Sequence, residues 1–295
     1  MNIFTSFEES HKKPLSFAIG NFDGIHKGHS EILKKAIDSE KSESAVITFY
    51  PHPRQYLYPD FTPHFITSLP EKLSLFEVLG INNVFILPFG KMVNMEPVDF
   101  LNYLSDHTLP TAITVGFNFF FGRNQKGNTE LLHWWSKGAE IKVNIIDPVR
   151  IGGLRISSTA VRELIAEGEV EKSSKLTEFP YFLSGFVRKN SEAAPFNFDF
   201  PAKNKIVPPD GFYQTLLVQK NNQTHCLAEL KTIFGEKKVT ILKNNNTFSA
   251  EFSTLYFLKE EASLPFNLWE ELPIEKPLPF IKFDYFENMK YMEML

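Results

Sequence analysis

Up to residue 150, short apolar runs alternate with stretches in which apolar positions recur at three- and four-residue spacing. The runs at 15–19, 45–49, 83–87, 112–115 and 141–146 are the strand candidates. Between them, Ser68-Leu69-Pro70-Glu71 has the spacing of a capping box with proline in the first turn, and Gly80 stands where that helix would stop. Residues 97–107 place Val98, Leu101 and Leu104 on one helical face. Strand–helix alternation of this kind predicts a parallel sheet with helices on both sides. Ligands of such sheets bind beyond the carboxyl ends of the strands, often where a strand runs into a helix.

A last helix is expected at 159–167, ending at Gly168. After residue 180 the pattern changes. Segments 182–187, 211–218, 224–230, 238–242 and 252–258 read as short strands separated by Asn, Lys, Pro and Gly clusters. Strands without intervening helices predict a small antiparallel barrel. The Asn- and Lys-rich stretches at 220–223 and 243–246 read as turns, and 285–295 as helical. The expected division is therefore an α/β domain over 1–178 and a β-barrel domain over 179–295 with a C-terminal tail. No internal repeat is evident.

The composition narrows the function classes. With 43% hydrophobic and 22% charged residues the 295-residue chain is of the soluble globular class. A net charge of -4 gives no general attraction to nucleic acid or to an anionic membrane. The single cysteine, Cys226, has no partner for a disulfide or a thiolate cluster. No apolar run approaches the roughly 20 residues that span a bilayer, and the first residues lack a secretory core. A cytoplasmic location is expected, with small molecules rather than nucleic acid or membrane as partners. Oligomeric state is not legible.

The chemistry begins after the first strand candidate, at Gly20-Asn21-Phe22-Asp23-Gly24-Ile25-His26-Lys27-Gly28-His29. A strand, a glycine-bearing turn and a helix start present free backbone N–H groups and a positive dipole end to an anion. Gly20 and Gly24 permit close backbone approach, and Gly28 tight packing against ligand or sheet. His26 and His29, three apart, share a face of a helical first turn, where each can donate to a phosphate oxygen and, if protonated, add charge. A histidine metal site and a purely structural turn are the alternatives. Helical zinc pairs more often use an i, i+4 spacing with a carboxylate near, and a structural turn does not call for two histidines and three glycines.

This stretch resembles the G-x-F-D-G-x-H-x-G-H signature of the bacterial riboflavin kinase/FAD synthetase family, within the wider group of H-x-G-H nucleotidyltransferases. Three more segments resemble that family in order. They are Thr48-Phe49-Tyr50-Pro51-His52-Pro53, then Val115-Gly116-Phe117-Asn118-Phe119-Phe120-Phe121-Gly122, and Ile156-Ser157-Ser158-Thr159-Ala160-Val161-Arg162. The resemblance implies a Rossmann-like nucleotidyltransferase domain followed by a riboflavin-kinase-like barrel. It also implies adenylyl transfer, in which FMN attacks the α-phosphorus of ATP to give FAD and pyrophosphate.

Each segment also reads on its own residues. Pro51 and Pro53 stiffen the loop and deny it helix formation, so that Phe49, Pro51 and His52 can line a flat aromatic ligand. Asn118 among phenylalanines, Phe120 included, suits the polar edge of a ring whose faces need cover; a buried aromatic strand end explains some of them equally well. Arg123 and Lys126 lie just beyond. One hydroxyl of Ser157-Ser158-Thr159 caps the next helix, leaving Ser158, Thr159 and Arg162 as a second anion-binding helix start.

A phosphate monoester is largely dianionic at neutral pH, so no general base is needed. What remains is in-line positioning and charge neutralisation. By resemblance, His26, His29 and Arg162 are the catalytic candidates, and Gly20, Phe22, Asp23, Gly24, Gly28, Ser158 and Thr159 bind ATP. Phe49, Pro51, His52, Asn118 and Phe120 receive the flavin. Mg²⁺ is expected on the nucleotide phosphates, with few or no protein ligands.

The barrel resembles the family less. The kinase motif, roughly G-F-P-T-A-N followed by P-x-x-G-V-Y, is answered here by Asp199-Phe200-Pro201-Ala202-Lys203-Asn204 and Pro208-Pro209-Asp210-Gly211-Phe212-Tyr213. Ala202 replaces the threonine that helps hold Mg-ATP, Asn204 is the residue retained, and residues 191–197 lack the expected glycines. Glu229 and Glu251 are both candidates for the kinase carboxylate. The leading expectation is an FMN adenylyltransferase with an inactive barrel. The alternatives are a bifunctional enzyme that also phosphorylates riboflavin, a non-catalytic flavin or nucleotide sensor, and adenylyl transfer to another phosphate ester.

Overall fold

The computed structural model describes residues 1–10, 12–58, 64–189, 196–200, 204–220, 222–243, 251–261, 278–282 and 284. The first part of the chain runs β1 (Asn2–Phe4), β2 (Pro14–Ile19), α1 (Lys27–Ile37), β3 (Glu43–Tyr50), α2 (Pro53–Leu57), α3 (Leu69–Val78), β4 (Asn83–Pro88), α4 (Phe89–Met92), α5 (Pro97–His107), β5 (Leu109–Gly116), α6 (Thr129–Ala139), β6 (Lys142–Ile146) and a hairpin, β7 (Arg150–Ile151) and β8 (Leu154–Arg155). Then come α7 (Ser158–Ala166), α8 (Val170–Leu176), β9 (Phe182–Lys189), β10 (Phe196–Asp199), β11 (Gly211–Gln219), β12 (Asn222–Ile233), β13 (Glu236–Lys243) and β14 (Phe252–Glu261). Packing divides the chain into two compact units, Met1–Pro63 with Phe76–Ile156, and His64–Leu75 with Ser157–Met294.

In the first unit six strands form a parallel sheet in the order β1-β4-β3-β2-β5-β6. The five expected strands are all present, each longer by a residue or more except β6, which starts one residue later. The sixth, β1, is too short to read from periodicity and pairs with the edge of β4. The chain moves outward from β2 to β3 and β4, then returns to lay β5 on the other side of β2. The space beyond the carboxyl ends of β2 and β5 is thus the topological switch point. The core joins Phe17, Ile19, Ile47, Phe85, Ile113 and Val115 of the strands to Leu101 and Leu104 of α5 and Leu132 of α6.

Two local expectations are settled by capping geometry. Ser68 and Glu71 form the reciprocal capping box of α3, Ser68 N–H donating to Glu71 Oε2 at 2.8 Å and Glu71 N–H to Ser68 Oγ at 3.4 Å. The expectation that Pro51 and Pro53 deny helix formation is corrected. Pro53 opens α2 as its first residue, with His52 Nδ1 accepting the Arg54 N–H at 3.1 Å. At that position proline lacks only an N–H that would have had no helical partner, and its φ is already helical.

In the second unit the antiparallel strands close into a barrel, β10-β13-β12-β11-β14-β9. Five strands were legible; β10 adds the sixth. Its core includes Leu183, Val187, Tyr213, Leu217, Leu230, Ile241, Leu255 and Phe257, together with Val161 and Ile165 of α7, Val170 of α8 and Ile66. Gly185 lies where a Cβ would meet the Asp199 carbonyl oxygen at 2.1 Å, so β9 and β10 approach only because this position has no side chain. Ala202, the segment 191–195, the turn residues 244–246 and the helix expected at 285–295 lie outside the described residues.

Candidate functional site

The turn between β2 and α1 is built on unusual backbone. Phe22, Gly24 and Ile25 all have positive φ, at 51°, 78° and 37°. Two of the three are not glycine, and both are fully buried. Burial of the Phe22 and Ile25 side chains compensates a conformation that L-residues rarely adopt. The turn begins with Gly20 N–H donating to Ile47 O at 3.1 Å, which ties it to β3. A Cβ at Gly20 would lie 3.1 Å from the Phe22 ring, so this glycine makes room for Phe22.

His26 is the N-cap of α1 rather than a residue of its first turn. Its Nδ1 accepts the backbone N–H of His29 at 3.1 Å. With Nδ1 an acceptor, the neutral ring carries its hydrogen on Nε2, which is therefore its remaining donor. The His26 and His29 rings stack with centroids 3.6 Å apart and planes 13° from parallel. Phe22 meets His29 edge-on at 5.3 Å, and Phe76 meets Phe22 edge-on at 5.7 Å. A Cβ at Gly28 would lie 3.1 Å from the His26 ring, so this glycine makes room for that imidazole. Asp23 is buried in the same turn.

Burial pushes the His26 pKa down to about 4, and the positive charge of Arg155 adds to the effect. In the free protein His26 is consequently neutral at physiological pH, which leaves its ring a hydrogen-bond donor without added charge. The stack also bears on the metal alternative. Imidazole lone pairs lie in the ring plane, so parallel stacked rings aim them side by side, and His26 Nδ1 is already engaged by the backbone. Such a pair does not converge on one ion.

Other expected residues of this unit gather at the same sheet end. Gly116 closes β5, where a Cβ would be 3.4 Å from Asn118 Oδ1 and 3.6 Å from Ile32 of α1. The phenylalanines after it divide cleanly. Phe121 is buried and stacks on Phe119 at 5.2 Å, whereas Phe120 is 57% exposed and Asn118 is exposed beside it. Phe49, next to last in β3, packs against the sheet core and meets Phe89 edge-on at 6.0 Å. Pro51 and His52 follow the end of that strand, both half-buried. Arg123 and Lys126, considered as phosphate contacts, face Glu96 at 3.6 and 3.8 Å.

Sequence reasoning missed Arg155. Its guanidinium lies 4.6 Å from the centre of the Phe117 ring, and its charge reaches His26. It immediately precedes the matched Ile156–Arg162 segment, and that adjacency was the available signal.

In the second unit, Ser157 caps α7, its Oγ accepting the Ala160 N–H at 3.2 Å. Ser158 and Thr159 are the first two helical residues, and Arg162 is half-buried one turn on. Asn204, the retained kinase-motif residue, accepts the Phe65 N–H on its backbone oxygen at 2.7 Å. The neighbouring Lys205 forms a buried ion pair with Glu71 at 2.5 Å, both side chains 1% exposed, with its Nζ 4.6 Å from the centre of the Phe182 ring. Glu229 faces Lys231 at 2.5 Å.

Among the described residues no group of three His, Cys, Asp or Glu side chains is clustered to hold a metal ion, and no helix is long and apolar enough to cross a membrane.

With this geometry in hand, comparison with known proteins is informative. The family model described as FAD synthetase matches residues 8–160. The chain is 29% identical over 236 residues, 75% of its length, to 73% of the bifunctional riboflavin kinase/FMN adenylyltransferase of Bacillus subtilis. It is 28% identical over 214 residues, 70% of its length, to 84% of the FAD synthetase of Listeria monocytogenes. Among solved structures, one titled macrolide-efflux protein from Streptococcus pneumoniae superposes with a TM-score of 0.74 at 23% identity, covering 88% of this chain and 98% of that one. That likeness concerns the fold alone.

Proposed function

The chain belongs to the FAD synthetase family and is a nucleotidyltransferase; from that premise we propose that it joins the phosphate of FMN to the AMP moiety of ATP, releasing pyrophosphate. The observation that supports this most is the stacked His26–His29 pair at the switch point of the sheet. There a neutral donor and an adjoining helix N-terminus meet developing phosphoryl charge without a proton having to be removed from the nucleophile.

In this reading an oxygen of the FMN phosphate attacks the α-phosphorus, the bond to the β-phosphate breaks, and the electron pair leaves with pyrophosphate. His26 Nε2–H and the His29 ring stabilise charge on the α-phosphoryl oxygens. The backbone N–H groups of the turn bind phosphate alongside them, with Gly20, Gly24 and Gly28 allotted to ATP on their motif. Asn118 and Phe120, with Phe49, Pro51 and His52, receive the flavin ring. Ser158, Thr159 and Arg162 are assigned to the β- and γ-phosphates on their motif and on the capped start of α7. Mg²⁺ would arrive on the triphosphate and neutralise part of its charge.

The barrel is assigned a structural role on the loss of the hydroxyl at Ala202. The names of the relatives favour a second reading, in which the barrel also phosphorylates riboflavin. One experiment separates the readings. Purified protein is supplied with FMN plus ATP and, in parallel, riboflavin plus ATP. FAD and pyrophosphate from the first mixture alone are expected. No FAD from FMN would end the adenylyltransferase reading, and flavin phosphate from riboflavin would end the inactive-barrel reading. Pyrophosphate release also excludes a non-catalytic sensor.

A further inference from the structure

The β7–β8 hairpin is closed by Gly152 and Gly153, at φ 57° and 82°, which places Ile151 opposite Leu154 and Arg150 opposite Arg155. Residues directly opposite in an antiparallel pair share a face. One face of the hairpin therefore bears two apolar side chains and the other two guanidinium groups. Like charges directly opposite each other repel and destabilise the pairing. Two other arginines face carboxylates, Arg123 with Glu96 and Arg188 with Asp199. Among the described residues no carboxylate stands within ion-pair distance of Arg150 or Arg155. Arg150 Nη1 donates to Gly153 O at 3.0 Å, which engages one of its five N–H groups.

The position of this basic face is informative. Arg155 rests on the ring of Phe117, the first aromatic of the segment assigned to flavin, and its charge reaches His26 of the phosphate turn. A hairpin face with two cations, one of them seated on the flavin segment and electrostatically coupled to the turn assigned to the α-phosphoryl group, matches the anion that must approach that group, the phosphate of FMN. That group is largely dianionic at neutral pH, and its approach to an anionic α-phosphoryl group requires that its charge be neutralised.

We infer that Arg150 and Arg155 form a cross-strand clamp for the phosphate of FMN, and that Arg150 is a specificity residue for phosphorylated flavin. The inference rests on the adenylyltransferase reading above. Its test compares full-length wild type with Arg150→Gln and Arg150→Lys in steady-state FAD synthesis, varying FMN and ATP separately.

Wild-type turnover checks the underlying reading; the ratio of variant to wild type checks the clamp. Arg150→Gln is expected to raise KM for FMN about ten-fold, the effect of losing one charge-assisted hydrogen bond. KM for ATP should stay within about two-fold of wild type on the same reasoning, and Arg150→Lys should recover part of the loss. Arg150 is exposed, so the Gln variant should unfold at the wild-type temperature. An unchanged KM for FMN overturns the clamp. So does a rise in KM for ATP that equals or exceeds the rise for FMN, because the anion would then belong to the nucleotide or the hairpin would merely be misplaced.

Discussion

His26 Nδ1 accepts the backbone N–H of His29 at 3.1 Å while the two imidazoles stack 3.6 Å apart. One ring thus caps the helix and orients its neighbour, and in the proposed reaction offers its remaining nitrogen to a phosphate. These tasks can be separated. His26→Asn keeps a side-chain acceptor at the cap and should unfold within a few tenths of a kcal/mol of wild type, whereas His26→Ala should lose about 1 kcal/mol. Both should lower kcat in FAD synthesis. His29→Ala should lower kcat by about 10²–10³-fold, in the range of losing one oxyanion-stabilising donor, with a smaller effect on KM for ATP. Unchanged turnover in His29→Ala would remove that histidine from the mechanism.

The pH dependence of stability follows from the same residue. An unfolded histidine titrates near 6.5, whereas burial holds His26 down at about 4. Between those values the unfolded chain binds more protons than the folded one, so stability rises with pH across this window. It is lost as pH falls from 6.5 toward 4, by on the order of 3 kcal/mol at full extent. Urea unfolding of wild type and His26→Asn between pH 7 and 4.5 measures it. The variant should lose less stability on acidification, and equal losses would contradict a buried neutral His26.

Gly28 offers an opposite test, of activity without stability. It lies in α1, where alanine is the better helix former by up to about 1 kcal/mol, yet a Cβ would lie 3.1 Å from the His26 ring. Gly28→Ala should therefore melt within a few degrees of wild type, while displacement of the ring lowers kcat about ten-fold or more. Wild-type kcat in this variant would show that the stack tolerates movement.

The Glu71–Lys205 pair predicts non-additive energetics. Removing one partner leaves an unpaired buried charge, so Lys205→Met should cost about 3–5 kcal/mol of unfolding free energy. The double variant Glu71→Leu with Lys205→Met should recover most of that loss, because apolar side chains of similar volume suit the site. Calorimetry of the four proteins completes the cycle, and additive losses would refute a coupled pair.

Much of the candidate site was legible because its chemistry is local. The Gly20–His29 turn, the helix over 97–107, the Ser68–Glu71 capping box and the helix start after Ser157 each depend on residues a few positions apart. What escaped was short or non-local. β1, with three residues, shows no period and exists because the edge of β4 is there to pair with. The N-cap role of His26 was missed because histidine is not among the preferred cap residues. The helix after His52 was misread because proline blocks a helix only in its interior.

By itself the sequence determined the alternation of strand and helix, the change to barrel strands after residue 180, and the residues of the glycine-bearing turn at 20–29, since hydrophobic period and turn chemistry act over a few residues. Only the tertiary structure decided how those residues are used. It stacked two histidines and buried one of them enough to hold it neutral, placed Arg155 on Phe117, and joined Glu71 to Lys205, 134 positions apart along the chain. Burial and charge proximity depend on which distant segments pack together, and no local pattern encodes that.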